Sequence, residues 1–445
     1  MLDLKFIREN LELVKKNCDL RSSKVDPAEV VALEDRRLEI LKQVESLRTE
    51  RNQINEEIKK AGKPTPEQIA SGRQMREKLD VLETELKEAE KAVNEKAAWI
   101  PNILSSDTPI GKDEKDNVEV KAWTPKDSYL KPEQLGKYNF SEKFMPRHAF
   151  GGKHHADIGE SLGLIDTKQS ALVSGSRFYY LKNEAVLLQM AVFDLLKNKL
   201  IKDGFMPMVV PLLVGERSLY GTSHFPGDAD QVYKIENKYV EEGRDLYLVG
   251  SSEPSLFSYF MDKTLKEAEL PQKMFATTTC FRSEVGSWGK DVRGVKRVHQ
   301  FDKLEMDVVC TPAQSTEIHE QLLAINEWLL QSLKIPYHVI LMCSGDAGYF
   351  ATHKKYDFEA WIPSQGEFME LGSDTNAADF QARRFNTRYV DATGERHYVN
   401  NVNDTGIAFP RALIAILDNY QNADGSVTIP EVLRPYLGKD VITSK

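Results

Sequence analysis

A long heptad repeat near the N-terminus constrains the fold more than any other feature. Between Pro27 and Pro101 almost every residue favours helix, apart from one break at residues 61–66. Apolar residues recur at alternating spacings of three and four on both sides of the break, including Leu33, Ile40, Val44, Leu47, Ile54, Ile58, Met75, Leu79, Leu82, Leu86, Ala89 and Val93. This period makes two helices wrap around each other, and a short break folds them into an antiparallel hairpin. We expect a coiled-coil arm over about residues 27–100, inside an N-terminal domain of residues 1–105.

Two arginines, Arg37 and Arg51, occupy seam positions of this repeat. Long basic side chains at such positions either extend to solvent along their aliphatic stems or face a polyanion. The sequence leaves both alternatives open.

The character of the chain changes from about residue 106. Strand-like runs at residues 246–249 and 306–309 alternate with helical runs at 184–199 and 313–334. Few regular strand-helix-strand crossovers are visible, which favours an antiparallel or mixed sheet flanked by helices. We predict an α+β domain over residues 106–445.

Bulk composition excludes several classes of protein. The chain has 59 basic and 68 acidic residues, a formal net charge of −9, which argues against a surface coated with phosphate-binding residues but permits a local basic stripe. No apolar run approaches the ~20 residues of a membrane span, and the N-terminus lacks a signal-peptide layout. The cysteines form no Cys-x-x-Cys pair, so we expect no disulfide framework, no zinc and a cytoplasmic location. They are Cys18, Cys280, Cys310 and Cys343.

Candidate chemistry is concentrated in three segments, residues 279–306, 367–384 and 403–411. The first predicts a strand, a glycine-containing loop and a returning strand that display arginines, carboxylates and an aromatic residue. Neither a Gly-x-x-x-x-Gly-Lys-Ser/Thr loop nor a Gly-x-Gly-x-x-Gly loop occurs in the chain. A nucleotide would therefore have to be bound by side chains rather than by a glycine cradle.

These segments resemble the motifs of class II aminoacyl-tRNA synthetases. Phe281-Arg282-Ser283-Glu284 with its returning strand resembles motif 2, and Gly406-x-Ala408-x-x-Arg411 resembles motif 3. Residues 204–211 are similar to the weaker motif 1, which builds the dimer interface in that class, so we expect a homodimer. Within the class, residues 297–301, 379–384 and 430–436, the opening 1–10 and the helical arm resemble the seryl-tRNA synthetase family. The resemblance spans essentially the whole chain.

The resemblance implies activation of L-serine by ATP and transfer of serine to tRNA(Ser), with tRNA(Sec) left open as a further substrate. The serine carboxylate attacks the α-phosphorus, so fixed cations rather than a general base are needed. Arg282 and Arg411 are the implied catalytic residues. The implied ATP site is Arg282, Ser283, Glu284, Val298, Phe301, Glu370, Leu371, Gly372, Ser373 and Arg411, where Glu370 and Ser373 also hold Mg²⁺.

The other implied contacts concern serine and tRNA. The expected serine-binding residues are Ser251, Ser252, Glu253, Arg282, Glu305, Ser373, Asn403 and Thr405. The expected tRNA contacts are Arg36, Arg48, Lys59, Arg73, Arg76, Lys290 and Arg293. The arm residues alternate with carboxylates, so a solvated face of ion pairs is the competing interpretation.

The chain departs from the family pattern at several positions. They are Ser251-Ser252 in place of Thr-Ala, Asp374 in place of a small or cysteine residue, Pro410 in place of glycine, and Trp288 and Lys290 in the motif 2 loop. None removes a charge that the mechanism needs.

Two other functions compete with this interpretation. One is a synthetase-like protein that has lost catalysis, and the other is a ligase that charges a carrier protein. The first conflicts with an intact set of charged residues, namely Arg282, Glu284, Glu305, Glu370 and Arg411. The second conflicts with the long helical hairpin, which such ligases lack, and a purely structural coiled coil leaves residues 106–445 unexplained.

Overall fold

A computed structural model of the chain describes residues 1–126, 128–236, 245–286, 293–348 and 350–444. The chain divides into two compact units, Met1–Pro101 and Asn102–Lys445. Among the described residues, no helix combines the length and the apolar character that crossing a membrane requires.

The first unit is helical and contains the predicted arm. Its helices are α1 (Leu4–Glu9), α2 (Leu11–Leu20), α3 (Pro27–Ala61) and α4 (Pro66–Ala97). Lys96, near the end of α4, pairs with Glu29, near the start of α3, at 2.7 Å, so the two long helices are antiparallel. Ile40, Val44 and Leu79 are buried between them. The predicted coiled-coil arm is confirmed.

Local sequence explains where the arm helices begin and end. The Asp26 carboxylate accepts a hydrogen bond from the backbone N–H of Ala28, and Pro27 occupies the first turn of α3. Helix α3 ends at Gly62, whose φ of +77° favours glycine. Thr65 and Gln68 then form a capping box that starts α4.

The two seam arginines differ in their surroundings. Arg37 donates two hydrogen bonds of 2.7 Å to Glu34 and lies 3.9 Å from Glu90 on the other helix. Its charge is therefore balanced inside the arm. Arg51 is exposed to solvent, so it fits better the alternative in which the side chain extends to solvent along its aliphatic stem.

The second unit combines a large sheet with several small ones. Its strands are β1 (Val118–Thr124), β2 (Ser128–Tyr129), β3 (Ile165–Asp166), β4 (Tyr180–Leu181), β5 (Met206–Pro207), β6 (Leu213–Gly215), β7 (Lys234–Ile235), β8 (Leu246–Leu248), β9 (Thr264–Lys266), β10 (Gln272–Phe281), β11 (Gln300–Cys310), β12 (Tyr337–Leu341), β13 (Lys354–Ile362), β14 (Glu367–Asn376), β15 (Arg388–Val390), β16 (Arg396–Tyr398), β17 (Asn400–Ala408), β18 (Val427–Thr428) and β19 (Val441–Ile442). Its helices are α5 (His155–Ser161), α6 (Thr167–Ser174), α7 (Glu184–Lys202), α8 (Glu216–Gly221), α9 (Glu253–Ser258), α10 (Ser315–Ser332), α11 (Phe380–Phe385), α12 (Phe409–Tyr420) and α13 (Arg434–Leu437).

Within the described residues, the large sheet has the strand order β2-β1-β12-β13-β14-β17-β11-β10-β5. All neighbouring pairs are antiparallel except β10 and β5, which are parallel. Strands β14, β17, β11 and β10, which contain most of the predicted site residues, are therefore adjacent. The predicted α+β fold with a mixed sheet flanked by helices is confirmed.

The sheet has helices on both faces, and alternation along β11 shows how the faces differ. Leu304 and Met306 belong to the main core, which includes residues of α7, α10 and α12. Val309, on the opposite face, belongs to a second apolar cluster with residues of α9 and α11. Lys303, Glu305 and Asp307 share the face of Val309. This second face, here called the front face, bears the candidate site.

Candidate active site

Most of the predicted nucleotide residues meet in one cleft on the front face of the sheet. The cleft contains about 500 Å³ of space, part of it open to solvent. Its lining residues are Arg282, Glu284, Lys296, Arg297, Val298, Phe301, Lys303, Glu370, Leu371, Gly372, Thr405, Ala408, Pro410 and Arg411. Antiparallel pairing accounts for this convergence, because β10, β11, β17 and β14 are neighbours in the sheet.

Arg411 and Glu370 form a charged pair at one wall of the cleft. Arg411 lies in the first turn of α12, and its Nη1 is 3.2 Å from Glu370 Oε1. The same nitrogen donates a 2.9 Å hydrogen bond to the Glu370 backbone carbonyl. The Arg411 guanidinium holds the pKa of the Glu370 carboxyl at about 2. Glu370 is therefore ionised at neutral pH and available to a cation.

Arg282 directly follows β10 and lies beside the aromatic residue of the cleft. Its guanidinium carbon is 5.4 Å from the centre of the Phe301 ring, and its Nε donates to the Gly250 carbonyl at 3.3 Å. These contacts restrict the arginine side chain before any substrate binds. A planar guanidinium in this position suits bidentate binding of carboxylate and phosphate oxygens.

Glu284 has a backbone conformation that turns the chain at the end of this strand. Its φ is +50°, in the left-handed region that non-glycine residues rarely adopt. Its carboxylate lies 3.5 Å from Arg297 and 4.0 Å from Arg177. The preceding residue, Ser283, donates from its hydroxyl to the Asp230 carbonyl and is not part of the cleft lining.

The predicted magnesium ligands lie on β14, close to a further carboxylate. Ser373 is the direct cross-strand partner of Asp357 on β13 and hydrogen-bonds to its carboxylate. Burial raises the pKa of Asp357 to about 6, although Lys355 lies 3.1 Å away. An ionised carboxylate at Glu370 and a hydroxyl at Ser373 are oxygen donors of the kind that Mg²⁺ prefers, with phosphate oxygens and waters completing its shell. The donor set fits the ion.

Several of the predicted serine residues form a largely buried polar cluster next to the cleft, here called the pocket. They are Ser251, Ser252, Glu253, Glu305 and Asn403. Glu253 Oε1 accepts hydrogen bonds from Gln381 Nε2 at 2.7 Å and from Asn403 Nδ2 at 3.2 Å. Ser251 accepts a hydrogen bond from the Glu253 backbone N–H at 3.3 Å and also hydrogen-bonds to Glu305. The Ser252 hydroxyl is buried and has no hydrogen-bond partner within the described part of the chain.

One buried lysine offsets part of the negative charge in this pocket. Lys303 Nζ lies 2.5 Å from Glu305 Oε2, and both side chains are more than nine-tenths buried. Burial, reinforced by the Glu305 carboxylate, raises the pKa of Glu253 to about 8. Burial also raises the pKa of Glu305. The pocket therefore favours ligands that bring a positive charge or hydrogen-bond donors.

Sequence reasoning missed several residues that the structure places in the site. Lys303 shares a sheet face with Phe301 and Glu305, so strand alternation alone is sufficient to find it. Gln381 lies in a segment that resembles the family, but its contact with Glu253 spans 128 positions and is invisible in the sequence. Lys296, Arg297, Ala408 and Pro410 also line the cleft.

The predicted tRNA contacts remain predictions, and their side chains differ in whether they form ion pairs. Arg48, Lys59 and Arg73 each pair with a glutamate of the arm. Arg36 and Arg76 are exposed, and the described residues offer neither of them an ion pair. In the second unit, Arg293 pairs with Asp157. Lys290 and Trp288 lie outside the described residues.

Two family models match the chain. A model described as the seryl-tRNA synthetase N-terminal domain matches residues 1–104. A second, described as the class II tRNA synthetase core domain for G, H, P, S and T, matches residues 233–420.

Full-length relatives agree with these models. The serine–tRNA ligase of Dictyoglomus turgidum is 40% identical over 450 residues, covering 100% of both chains. The crystal structure of seryl-tRNA synthetase from Pyrococcus horikoshii complexed with ATP has a TM-score of 0.86 and 38% identity, covering 100% of both chains. The cytoplasmic enzyme of Naegleria fowleri in complex with AMP has a TM-score of 0.81 and 29% identity, covering 100% of this chain and 99% of that one. The resemblance noted in the sequence is confirmed: the chain belongs to the seryl-tRNA synthetase family of class II aminoacyl-tRNA synthetases.

Proposed function

We propose that the cleft on the front face performs the two-step reaction of the family, forming seryl-adenylate and then seryl-tRNA(Ser). The observation that carries this proposal is the convergence of Arg282, Arg411 and an ionised Glu370 in one cleft beside a buried polar pocket. ATP occupies the cleft and L-serine occupies the pocket. The Pyrococcus relative, which is similar over its whole length, was crystallised with ATP.

In the first step, a serine carboxylate oxygen forms a bond to the α-phosphorus while the bond to the β-phosphate bridging oxygen breaks. Pyrophosphate leaves with the electron pair, and no proton has to be removed because the carboxylate is already ionised. The barrier is the approach of two anions, so a fixed guanidinium at Arg282 lowers it by binding both. Arg411 holds the γ-phosphate and keeps the triphosphate bent.

The nucleotide is held from several sides. Phe301 stacks on adenine, and Glu284 helps to define the base. Glu370 and Ser373 hold Mg²⁺, which neutralises phosphate charge when it is bound. Further contacts come from Val298, Leu371 and Gly372.

Serine is selected by the polarity of its pocket. Thr405 lines the cleft on the pocket side, next to the hydrogen-bonded pair of Asn403 and Glu253. A pocket that offers hydrogen bonds to a hydroxyl leaves buried groups unpaired when alanine binds, and it rejects alanine for that reason. The methyl group of threonine is excluded by its size.

In the second step, a terminal ribose hydroxyl of the tRNA attacks the serine carbonyl, AMP leaves, and the hydroxyl proton is released. We assign tRNA binding to the first unit, where the arm presents exposed basic residues, and to Lys290 and Arg293. The arm suits a long rod-like contact with tRNA(Ser). We include tRNA(Sec) as a second candidate substrate, which the family resemblance leaves open.

A pyrophosphate-exchange assay with each standard amino acid tests the first step. We expect exchange that depends on serine and ATP and that far exceeds exchange with alanine or threonine. Charging of purified tRNA(Ser) and tRNA(Sec) transcripts then tests the second step for each tRNA. Exchange with another amino acid, or none with serine, would contradict the proposal.

The same family membership supports a homodimer, and the structure offers a surface for it. Apolar side chains of α7 and of the segment that follows it are exposed, including Leu187, Met190, Ile201, Met206 and Val209. Val209 is fully exposed. A contiguous series of exposed apolar residues on one helix and the adjoining strand is typical of an interface. We assign it to a second copy of the chain, because residues 204–211 resemble the class II interface motif.

Replacing both Met190 and Val209 with aspartate should convert the dimer into a monomer, because dimerisation would bury unpaired carboxylates in an apolar interface. Sedimentation velocity at micromolar concentration measures the change. Ile110→Asp, at another exposed apolar residue, is the matched control and should leave the dimer intact. A wild-type chain that is monomeric and fully active would refute the proposal.

We also propose a cytoplasmic location without structural zinc. All four cysteines are buried as free thiols, which suits a reducing compartment, and the Naegleria relative is a cytoplasmic enzyme. Among the described residues, one group of potential metal ligands, Asp391, Glu395 and His397, occurs in and beside the turn between β15 and β16. It is not part of the cleft lining.

A further inference from the structure

A buried aspartate, Asp307, lies on β11 directly beyond the serine pocket. It shares the front face of the sheet with Lys303 and Glu305 because side chains alternate along a strand. Its direct neighbours across the sheet are Met274 on β10 and Asn403 on β17. Since Asn403 donates to Glu253, Asp307 adjoins the pocket at its deep end.

The surroundings of Asp307 make a carboxyl group unexpected at this position. Met274 and Val309, on the same face, belong to the apolar cluster between the sheet and helices α9 and α11. Asp307 has no exposed surface, and neither of its carboxyl oxygens has a hydrogen-bond partner within the described residues. An apolar side chain here would simply extend the cluster. A carboxyl without a donor lowers the stability of the fold unless a ligand supplies what is missing.

Two of the nearby acids already have partners. Glu305 pairs with Lys303, and Glu253 accepts from Gln381 and Asn403. If ionised, Glu253, Glu305 and Asp307 carry one negative charge each against the single positive charge of Lys303. Burial, followed by the Glu305 and Glu253 carboxylates, raises the pKa of Asp307 well above its ordinary value. A bound cation with hydrogen-bond donors would satisfy its oxygens and reverse this effect.

The amino acid substrate has such a group. Its carboxylate is assigned to Arg282 and its hydroxyl to the side of Thr405, which leaves the ammonium group for the acidic end of the pocket. We propose that Asp307 is a specificity-determining residue, which supplies the acceptor and the negative charge that hold the ammonium group of serine, directly or through one ordered water. This inference rests on the proposed serine pocket.

Asp307→Asn tests the proposal, because asparagine keeps the shape and removes the charge. In serine-dependent pyrophosphate exchange, we expect KM for serine to rise about tenfold or more, the effect of losing a charged hydrogen bond. The KM for ATP should change less than about twofold. D-glycerate and L-glycerate, in which a hydroxyl replaces the ammonium group, serve as competitive inhibitors against serine. Their inhibition constants should rise much less than KM for serine, because a neutral hydroxyl lacks the positive charge of the ammonium group.

The glycerate comparison separates ammonium recognition from a structural role. A merely structural aspartate would weaken serine and glycerate equally, and that result would overturn the proposal, as would an unchanged KM for serine. Asp374→Asn is the matched control: Asp374 is also fully buried and neither of its carboxyl oxygens accepts a hydrogen bond among the described residues. It lies on the other side of the sheet, where Oδ1 is 3.4 Å from His319 Nε2 of α10. This control variant should leave KM for serine unchanged.

Two further variants keep the result interpretable. If Asp307→Asn fails to fold, Asp307→Val, which extends the apolar cluster, replaces it with the same expected loss of serine affinity. Glu305→Ala tests the pocket itself and should weaken serine far more than ATP. If Glu305→Ala leaves KM for serine unchanged, the proposed pocket fails. If Glu305→Ala weakens serine and Asp307→Asn does not, the inference about Asp307 alone fails.

Discussion

Replacing Arg282 with alanine is expected to lower the rate of serine-dependent pyrophosphate exchange by about 10²–10³ or more, the usual effect of removing one oriented charge contact from such a site. Arg282 is the cation assigned to both reacting anions, so its loss affects the transition state directly. Contacts with Phe301 and Gly250 hold it in place before substrates bind. The fold should survive, because the side chain is at the surface of the cleft and not in either apolar cluster.

Controls separate loss of charge from loss of structure. Arg282→Lys keeps the charge but not the planar fork, so it should recover only a small part of the rate. Arg217→Ala removes an exposed arginine that pairs with Asp262 outside the cleft lining, and it should leave exchange unchanged. Thermal unfolding of all three variants checks the fold. Near-normal exchange in Arg282→Ala would show that another cation bridges the substrates.

Arg411 is expected to show a loss of similar size for a second reason. Its guanidinium is the group that we assign to the γ-phosphate, and it also keeps Glu370 ionised and oriented. Arg411→Ala should therefore weaken both triphosphate binding and the magnesium dependence of exchange. A titration of exchange rate against Mg²⁺ concentration distinguishes this double effect from a simple loss of phosphate contact.

Much of the fold was predictable because its determinants are local. The seam around Ile40, Val44 and Leu79 follows directly from heptad spacing, and the break at residues 61–66 contains the glycine and the cap that end and start the helices. The hairpin of β10 and β11 was likewise visible as two strand-like runs around a glycine-containing loop. In each case neighbouring residues determine the structure.

The lining of the cleft was predictable only where contiguous motifs describe it. Arg282, Phe301, Glu370 and Arg411 belong to such motifs, and all line the cleft. Ser283 belongs to the same motif as Arg282 but does not line the cleft. Its hydroxyl donates to the Asp230 carbonyl instead, a contact that the motif does not reveal.

Contacts between distant segments were not predictable. Asp357 meets Ser373 only through the register of β13 and β14. The unusual position of Asp307 depends on burial by α9, α11 and β10, which no local pattern reports. Such residues become visible only when the strands are paired.

Removing the distal part of the arm is expected to separate the two steps of the reaction. Residues 44–83, replaced by a short glycine-serine linker, contain most of the candidate tRNA contacts but leave the base, where Arg8 of α1 pairs with Asp35 of α3. The ion pairs Arg37–Glu90 and Lys96–Glu29 show that the two helices remain side by side at the cut, so a short linker can join them. The residues assigned to exchange line a cleft of the second unit, so exchange should persist at the intact rate. Charging at subsaturating tRNA should fall on the order of 10²-fold, because phosphate contacts along the arm are lost, and the remaining tRNA affinity should depend less steeply on salt.

A variant with Arg36, Arg48, Lys59, Arg73 and Arg76 changed to glutamine keeps the rod and removes only its basic groups, so it measures how much of the loss is electrostatic. Intact charging by the shortened enzyme would show that the arm does not bind tRNA.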